Sequence, residues 1–157
     1  MTNPITIRCM EERDREAVFA MMRVFYDSPA VDYTAPDDIL RRDFEDCIGA
    51  CPLVEGFLLL YADEIAGYAI TSLSYTTEYG GVCVWLEDLY LKPDYRHRGI
   101  GSALLSFLEA HYPQAVRFKM ETEPENVNAL ECYCKNGYFV SPYALLTKER
   151  PADYREK

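Results

Sequence analysis

The segment VCVWLEDLYLKPDYRHRGIGSALLSFLEA, residues 82–110, constrains the fold more than any other stretch of the chain. Its first ten residues are apolar at odd and even positions alike, apart from Glu87 and Asp88. That is the pattern of a strand covered on both faces, and therefore central in its sheet. Pro93 stops the strand. Further on, Ile100, Leu104 and Leu108 make one stripe, flanked by Ala103 and Phe107, with Ser102, Ser106 and Glu109 facing away. This is an amphipathic helix made to lie on a sheet, and a strand joined to such a helix by a short glycine corner points to an α/β architecture.

The flanking sequence supplies the remaining elements. ITIRC (residues 5–9) alternates like a short strand, and Val18, Met21, Met22 and Phe25 recur at helical spacing after Asp14, a natural N-cap. A turn-rich acidic stretch follows, and Leu40, Phe44, Cys47 and Ile48 mark a second helix that ends at Gly49. GFLLLY and IAGYAITSLSY read as a strand pair turning at Asp63 and Glu64, with TTEYGG as the next hairpin loop. After the central segment, AVRFKME is a strand, NVNALECYCKN a short helix capped by Asn136 and Gly137, and YFV and ALLTK two closing strands. The expected order is β-α-α-β-β-β-α-β-α-β-β, in one domain of 157 residues.

At the glycine corner, RHRGIGS, the first amides of the helix have no partner within it, and the two glycines let a ligand approach the backbone. The N–H groups from Arg98 to Ser102, with the charge of Arg96 and Arg98, suit an anion, and a pyrophosphate above all. The pattern is neither the G-x-G-x-x-G of dinucleotide folds nor a phosphate loop ending in G-K-[ST].

The rest of the chain is acidic. With 16 Lys and Arg against 26 Asp and Glu, its formal net charge is −10, which disfavours nucleic acid and anionic membranes and favours cationic partners. Six cysteines without a C-x-x-C pair, together with only two histidines, suggest neither a metal site nor a redox motif. They read as free thiols packed in a reducing compartment. No signal-peptide pattern or membrane-spanning run is evident, so a cytoplasmic protein is expected.

A second block, N-x-x-A-x-x-x-Y-x-x-x-G-[FY], runs from Asn126 to Tyr138. With both blocks present, the chain resembles the GNAT-type N-acetyltransferase superfamily. The signature [QR]-x-x-G-x-[GA] of that family follows the fourth strand and binds the pyrophosphate of acetyl-CoA; Arg96, Gly99 and Gly101 occupy its positions. The run SYTTEYGGVCVWLEDLYLKPDYRHRGIGSALL is most similar to the diamine (spermidine/spermine-type) acetyltransferase branch, with its L-E-D block before Y-R-x-x-G-I-G-S.

The resemblance implies a single-domain fold whose central sheet is mixed and mostly antiparallel, splayed between strands four and five and flanked by helices. It implies acetyl-CoA as co-substrate, without a metal, held by Leu89, Tyr90, Leu91, Arg96, His97, Arg98, Gly99, Ile100, Gly101, Ser102, Asn126 and Tyr133. It places Tyr133 as the acid that protonates the departing thiolate and a strand N–H near Leu89 as the group that polarises the carbonyl. Glu87 is expected at the amine, with Tyr26 and Asp27 helping to hold a cationic chain. Homodimers are frequent in that branch.

The residues bear on these roles independently. Strict alternation puts Glu87 with Trp85 and Leu89 on one face, and Asp88 with Leu86 and Tyr90 on the other. An interior carboxylate costs about several kcal/mol unless paired, and Arg117 or Lys119 on the neighbouring strand would be structural partners. A primary amine is mostly protonated at neutral pH, so Glu87 is expected to hold the ammonium first and to take its proton through water second. Asp27, Asp32, Asp37 and Asp38 precede the second helix in a loop expected to cover the site. The function expected is direct acetyl transfer, in a ternary complex, to the primary amine of a polyamine, a diamine or a lysine-like compound. A non-enzymatic acyl-CoA-binding regulator and a peptide or protein N-acetyltransferase are the alternatives.

Overall fold

The computed structural model describes residues 4–150. Strands β1 (Ile5–Cys9), β2 (Val54–Tyr61), β3 (Glu64–Thr76), β4 (Gly81–Leu91) and β5 (Ala115–Met120) form one sheet in the order β1-β2-β3-β4-β5. The first four are antiparallel to one another in succession, and β5 runs parallel to β4. Helices α1 (Arg15–Tyr26) and α2 (Asp37–Ile48) precede β2, α3 (Ile100–His111) joins β4 to β5, and α4 (Val127–Lys135) follows β5. The mixed, mostly antiparallel sheet expected from the sequence is the one observed.

Period-two alternation divides the core into two layers. Phe57 and Leu59 of β2, with Val84 and Leu86 of β4, pack against Ile100, Leu104, Leu105 and Leu108 of α3. Leu58, Tyr68 and Ile70 face the other way and pack against Val18, Met21 and Met22 of α1 and Leu40 and Phe44 of α2. The stripes read from the sequence of α1, α2 and α3 are the buried ones.

Three expectations are corrected. Residues 138–140 and 144–148 form no strand; Phe139, Val140, Leu145 and Leu146 are exposed. β5, last in the sheet, has an open outer edge, but neither segment pairs with it, and strand propensity alone does not make a strand. Asp14 does not cap α1 with its side chain. Its carboxylate accepts the Glu11 N–H (2.8 Å) and a bidentate pair from Arg8 (2.7 and 2.8 Å), tying the end of β1 to the start of α1.

The third correction concerns β4. Ile70 pairs with Asp88 while Thr71 pairs with Leu86, so Glu87 is the extra residue of a β-bulge. The bulge reverses the phase of the strand. Leu86 faces the α3 layer, but Asp88 and Tyr90 face α1 and α2, and Leu89 and Leu91 take the α3 side. Glu87 itself is exposed rather than interior, and Asp88 is the buried carboxylate, 4 % accessible.

Candidate active site

Pairing between β4 and β5 ends at Leu86 and Met120, while β4 continues to Leu91. The Lys92 N–H donates to Ala66 O on β3, which fixes the phase of the ladder. Residues 88 and 90 therefore turn their backbone groups toward β3, and Leu89 and Leu91 turn theirs to the side that β5 has left. The Leu91 carbonyl on that side accepts from Arg96 Nε (3.0 Å). The Leu89 N–H lies one step back along the same edge.

A cavity of about 760 Å³ opens in the splay, lined by Leu86, Glu87 and Leu89 of β4, Met120 of β5, Asn126, Tyr133 of α4, and the segment Pro29 to Asp32 with Phe25. Its ionisable carboxylates are Asp32, Glu87, Glu121, Glu123 and Glu125, with no lysine or arginine among the lining residues. A second cavity of about 210 Å³ adjoins it. Tyr26, Asp43, Asp46, Cys47, Glu87 and Asp88 line this one, so Glu87 borders both. Ser72 Oγ donates to Glu87 Oε1 and steadies it at the junction.

Behind Glu87, both oxygens of Asp88 are engaged: Tyr26 OH donates to Oδ1 and Tyr68 OH to Oδ2, each at 2.9 Å. Burial pushes the Asp88 carboxyl up to about 6, against the hydrogen bonds from the two tyrosines, which lower it. Burial and the adjacent Asp88 charge drive both tyrosines upward, so they remain neutral donors. Neither Arg117 nor Lys119 pairs with the β4 carboxylates: Arg117 meets Glu78 (3.5 Å) and Lys119 lies over the Trp85 ring.

Tyr133, on α4, is half-buried at the cavity wall, and burial first, then Cys132, push its hydroxyl up to about 12. Asn126 caps α4, its Oδ1 accepting from the Ala129 N–H (3.2 Å), and also borders the cavity. The sequence named both residues, and the fold brings them to the same wall as Glu87. Asp27 is different. It lies in neither cavity and pairs with Arg23 one helical turn back (2.9 Å), because the i,i+4 spacing puts the two side chains together. The structure thus places Asp27 against Arg23 rather than on a cavity wall, and Tyr26 at the smaller cavity. Of the acidic loop, Asp32 reaches the large cavity and Asp37 pairs with Arg23.

The glycine corner turns sharply at the start of α3. His97 and Gly99 both have positive φ, +59° and +81°, so the chain turns sharply and presents successive N–H groups to one side. Gly99 caps α3, and the N–H groups of Gly99, Ile100, Gly101 and Ser102 precede the first helical bond, Ala103 N–H to Gly99 O. Ile100 anchors the turn in the core, at 1 % accessibility. Arg98 lies over the Tyr61 and Tyr95 rings and donates from Nε to the Asp94 carbonyl (3.0 Å), and Arg96 is exposed. A Cβ on Gly101 would stand 3.2 Å from Cys132 Sγ, so α3 and α4 approach each other closely here. Asn136 Nδ2 donates to Ser102 Oγ (2.9 Å) across the same junction.

Asp43, Asp46 and Tyr68 were not singled out from the sequence. They reach the site from α2 and β3, and no local spacing links them to β4. The Glu-Asp doublet within an otherwise apolar strand was the signal that such a pocket exists.

Comparison with known proteins places this geometry. A solved integron cassette protein from the mobile metagenome of Cole Harbour Salt Marsh superposes with a TM-score of 0.76 at 23% identity, over 91% of this chain and 89% of that one. The aminoglycoside N-acetyltransferase AAC(6')-Iy, in complex with a CoA bisubstrate analogue, superposes with a TM-score of 0.76 at 19% identity, over 94% and 99%. Thialysine N-epsilon-acetyltransferase of Bos taurus is 44% identical over 41 residues, a match spanning 26% of this chain and 24% of that protein. The family described as acetyltransferase (GNAT) matches residues 16–138, which include the splayed strands, the glycine corner and α4, and the chain belongs to that family.

Proposed function

We propose that the protein moves the acetyl group of acetyl-CoA to the primary amine of a small, multiply cationic acceptor, a diamine, polyamine or lysine-like compound, by direct transfer in a ternary complex. The observation that carries this reading is the pair Tyr133 and Glu87 on the walls of one acidic cavity, at the place where β4 and β5 part. The free amides from Gly99 to Ser102, with Arg96 and Arg98 beside them and His97 at the turn, fit the pyrophosphate. The Leu89–Leu91 edge suits an extended chain leading from that corner into the cavity.

Each group then has one task. Glu87 holds the acceptor ammonium and takes its proton through water, leaving a neutral amine to attack the thioester carbonyl. The Leu89 N–H donates to the oxygen on which negative charge develops. Tyr133, protonated at neutral pH, gives its proton to the leaving thiolate and regains one from the nitrogen of the tetrahedral intermediate. The products are the amide, CoA thiol and one proton released to solvent.

The acceptor class rests on charge. Asp32, Glu121, Glu123 and Glu125 surround the large cavity, and Asp43, Asp46 and Asp88 lie beyond Glu87 in the small one, at a position suited to a distal ammonium. The partial match to a thialysine acetyltransferase is consistent with a lysine-like amine. The test is thiol release from acetyl-CoA with a panel of diamines, polyamines, lysine analogues, monoamines, aminoglycosides and N-terminal peptides. The highest kcat/KM is expected among the diamines, polyamines and lysine analogues; a preference for aminoglycosides or peptides overturns the acceptor assignment.

A further inference from the structure

We infer that Cys9, Glu55 and His111, which line neither cavity, form a binding site for one divalent transition metal of the zinc type. The three side chains come from β1, β2 and the last turn of α3, and their donor atoms all lie within 4.8 Å of one another. Tetrahedral zinc, with bonds of about 2.3 Å to sulfur and about 2.0–2.2 Å to nitrogen or oxygen, sets its ligand atoms about 3.4–3.6 Å apart. Cys9 Sγ stands 3.4 Å from Glu55 Oε1, and His111 Nε2 stands 2.9 Å from the same oxygen. Small side-chain rotations convert this cluster into three ligands of a tetrahedron, with water in the fourth place.

The site is held in shape by groups outside it. The His111 imidazole is stacked on Phe107 (5.3 Å, 20°) and set edge-on to Phe57 (5.1 Å) and Tyr112 (4.8 Å), which fixes its plane. Glu55 Oε2 accepts from Tyr112 OH (2.7 Å), and that hydroxyl is bonded in turn to the buried Thr71 Oγ1 (2.7 Å). Outer hydrogen bonds of this kind orient a ligating carboxylate and are part of how metal sites are built. Glu55 and His111 are each about one-third exposed (33% and 29%), so an ion can enter from solvent.

The chemistry balances with the groups present. Coordination breaks the Cys9 S–H bond, forms the sulfur–metal bond and releases one proton to solvent, while Glu55 and His111 contribute lone pairs. A sulfur, nitrogen and oxygen donor set favours zinc over magnesium or calcium. Cys9 hydrogen-bonds to Glu55 rather than to His111, so no imidazole is positioned to activate it as a nucleophile. The site and the glycine corner lie at opposite ends of the 12-residue α3, about 16 Å apart along the helix; bound metal would tie β1, β2 and α3 together.

Cobalt(II), which replaces zinc and reports thiolate ligation by a charge-transfer band, tests the assignment on the full chain. The expected result is a saturable band at one equivalent that Zn²⁺ abolishes by displacement. It should be absent in Cys9→Ser, with affinity at least about tenfold weaker in His111→Gln and Glu55→Gln, each variant still showing cooperative thermal unfolding. A parent protein without the band overturns the proposal whatever the variants do. So does a band of full strength in Cys9→Ser, which would put the metal on one of the other five cysteines.

Discussion

Tyr133 and Glu87 divide the chemistry, and single substitutions separate their roles. Tyr133→Phe keeps the ring against Tyr138 and removes only the hydroxyl. It should lower kcat by about 10²–10⁴-fold with little change in the KM for acetyl-CoA; rapid-mix measurement of the chemical step checks this. Glu87→Gln should lower kcat/KM for every amine. Asp27→Asn is expected to leave the KM for diamines unchanged, since the carboxylate is spent on Arg23 outside both cavities; a several-fold rise in KM for diamines alone would return it to the acceptor site. Tyr133 and Asn126 were legible because helical spacing and a family motif sit on the same residues. Asp88's partners were not: Tyr26 and Tyr68 lie 62 and 20 residues away in the chain, and only tertiary packing selects them.

Among elements, the bulge in β4 decides what the site is. Period-two reading is correct up to Leu86 and fails beyond it, because one unpaired residue inverts every later side chain. An apolar strand covered on both faces carries no marker of phase, so the sequence alone did not distinguish the two registers; the exposed Glu87 and buried Asp88 follow from that single residue. The position of the α3 corner was legible for the opposite reason, since a glycine pair before an amphipathic stripe marks where the chain turns into the helix. Gly99 sits at φ +81° with open space around a notional Cβ, so Gly99→Ala should cost about 1–2 kcal/mol from backbone conformation alone. Gly101→Val adds bulk against Cys132 and over the free amides. Acetyl-CoA should raise the Tm of the parent and of Gly99→Ala but not of Gly101→Val. An equal shift in all three places the cofactor elsewhere. The closing strands were misread because propensity does not report pairing: Leu145 and Leu146 are exposed and leave the open edge of β5 unjoined.

At the scale of the whole molecule, the net charge is −10, and part of the acidic excess lines the two cavities. Attraction of a multiply charged amine to exposed carboxylates is screened over about 8–10 Å at physiological salt, so the KM for a polyamine should rise with salt more than that for a monoamine; equal responses would leave the acidic cavity walls without a capture role. Stability carries the same charge in another form. The Asp88 carboxyl is raised to about 6 in the fold, chiefly by burial, and returns to an ordinary aspartate value near ~4 when the chain unfolds. Between those values the folded state binds more protons than the unfolded state, so this residue's contribution is fully present below pH ~4 and is lost as pH rises through about 6. The loss amounts to roughly 2–3 kcal/mol. Asp14 works with the opposite sign. Its carboxyl is held low, first by the hydrogen bonds from Arg8, and its contribution disappears as pH falls below the usual carboxylate range. Asp88→Asn isolates the first effect, since asparagine keeps the shape and meets both tyrosine hydroxyls without a charge. Denaturant unfolding of parent and variant from pH 4 to pH 7 should give a stability difference that moves in the variant's favour by roughly 2–3 kcal/mol as pH rises. A constant difference across that range would mean that Asp88 keeps an ordinary carboxyl, with water reaching it through the smaller cavity.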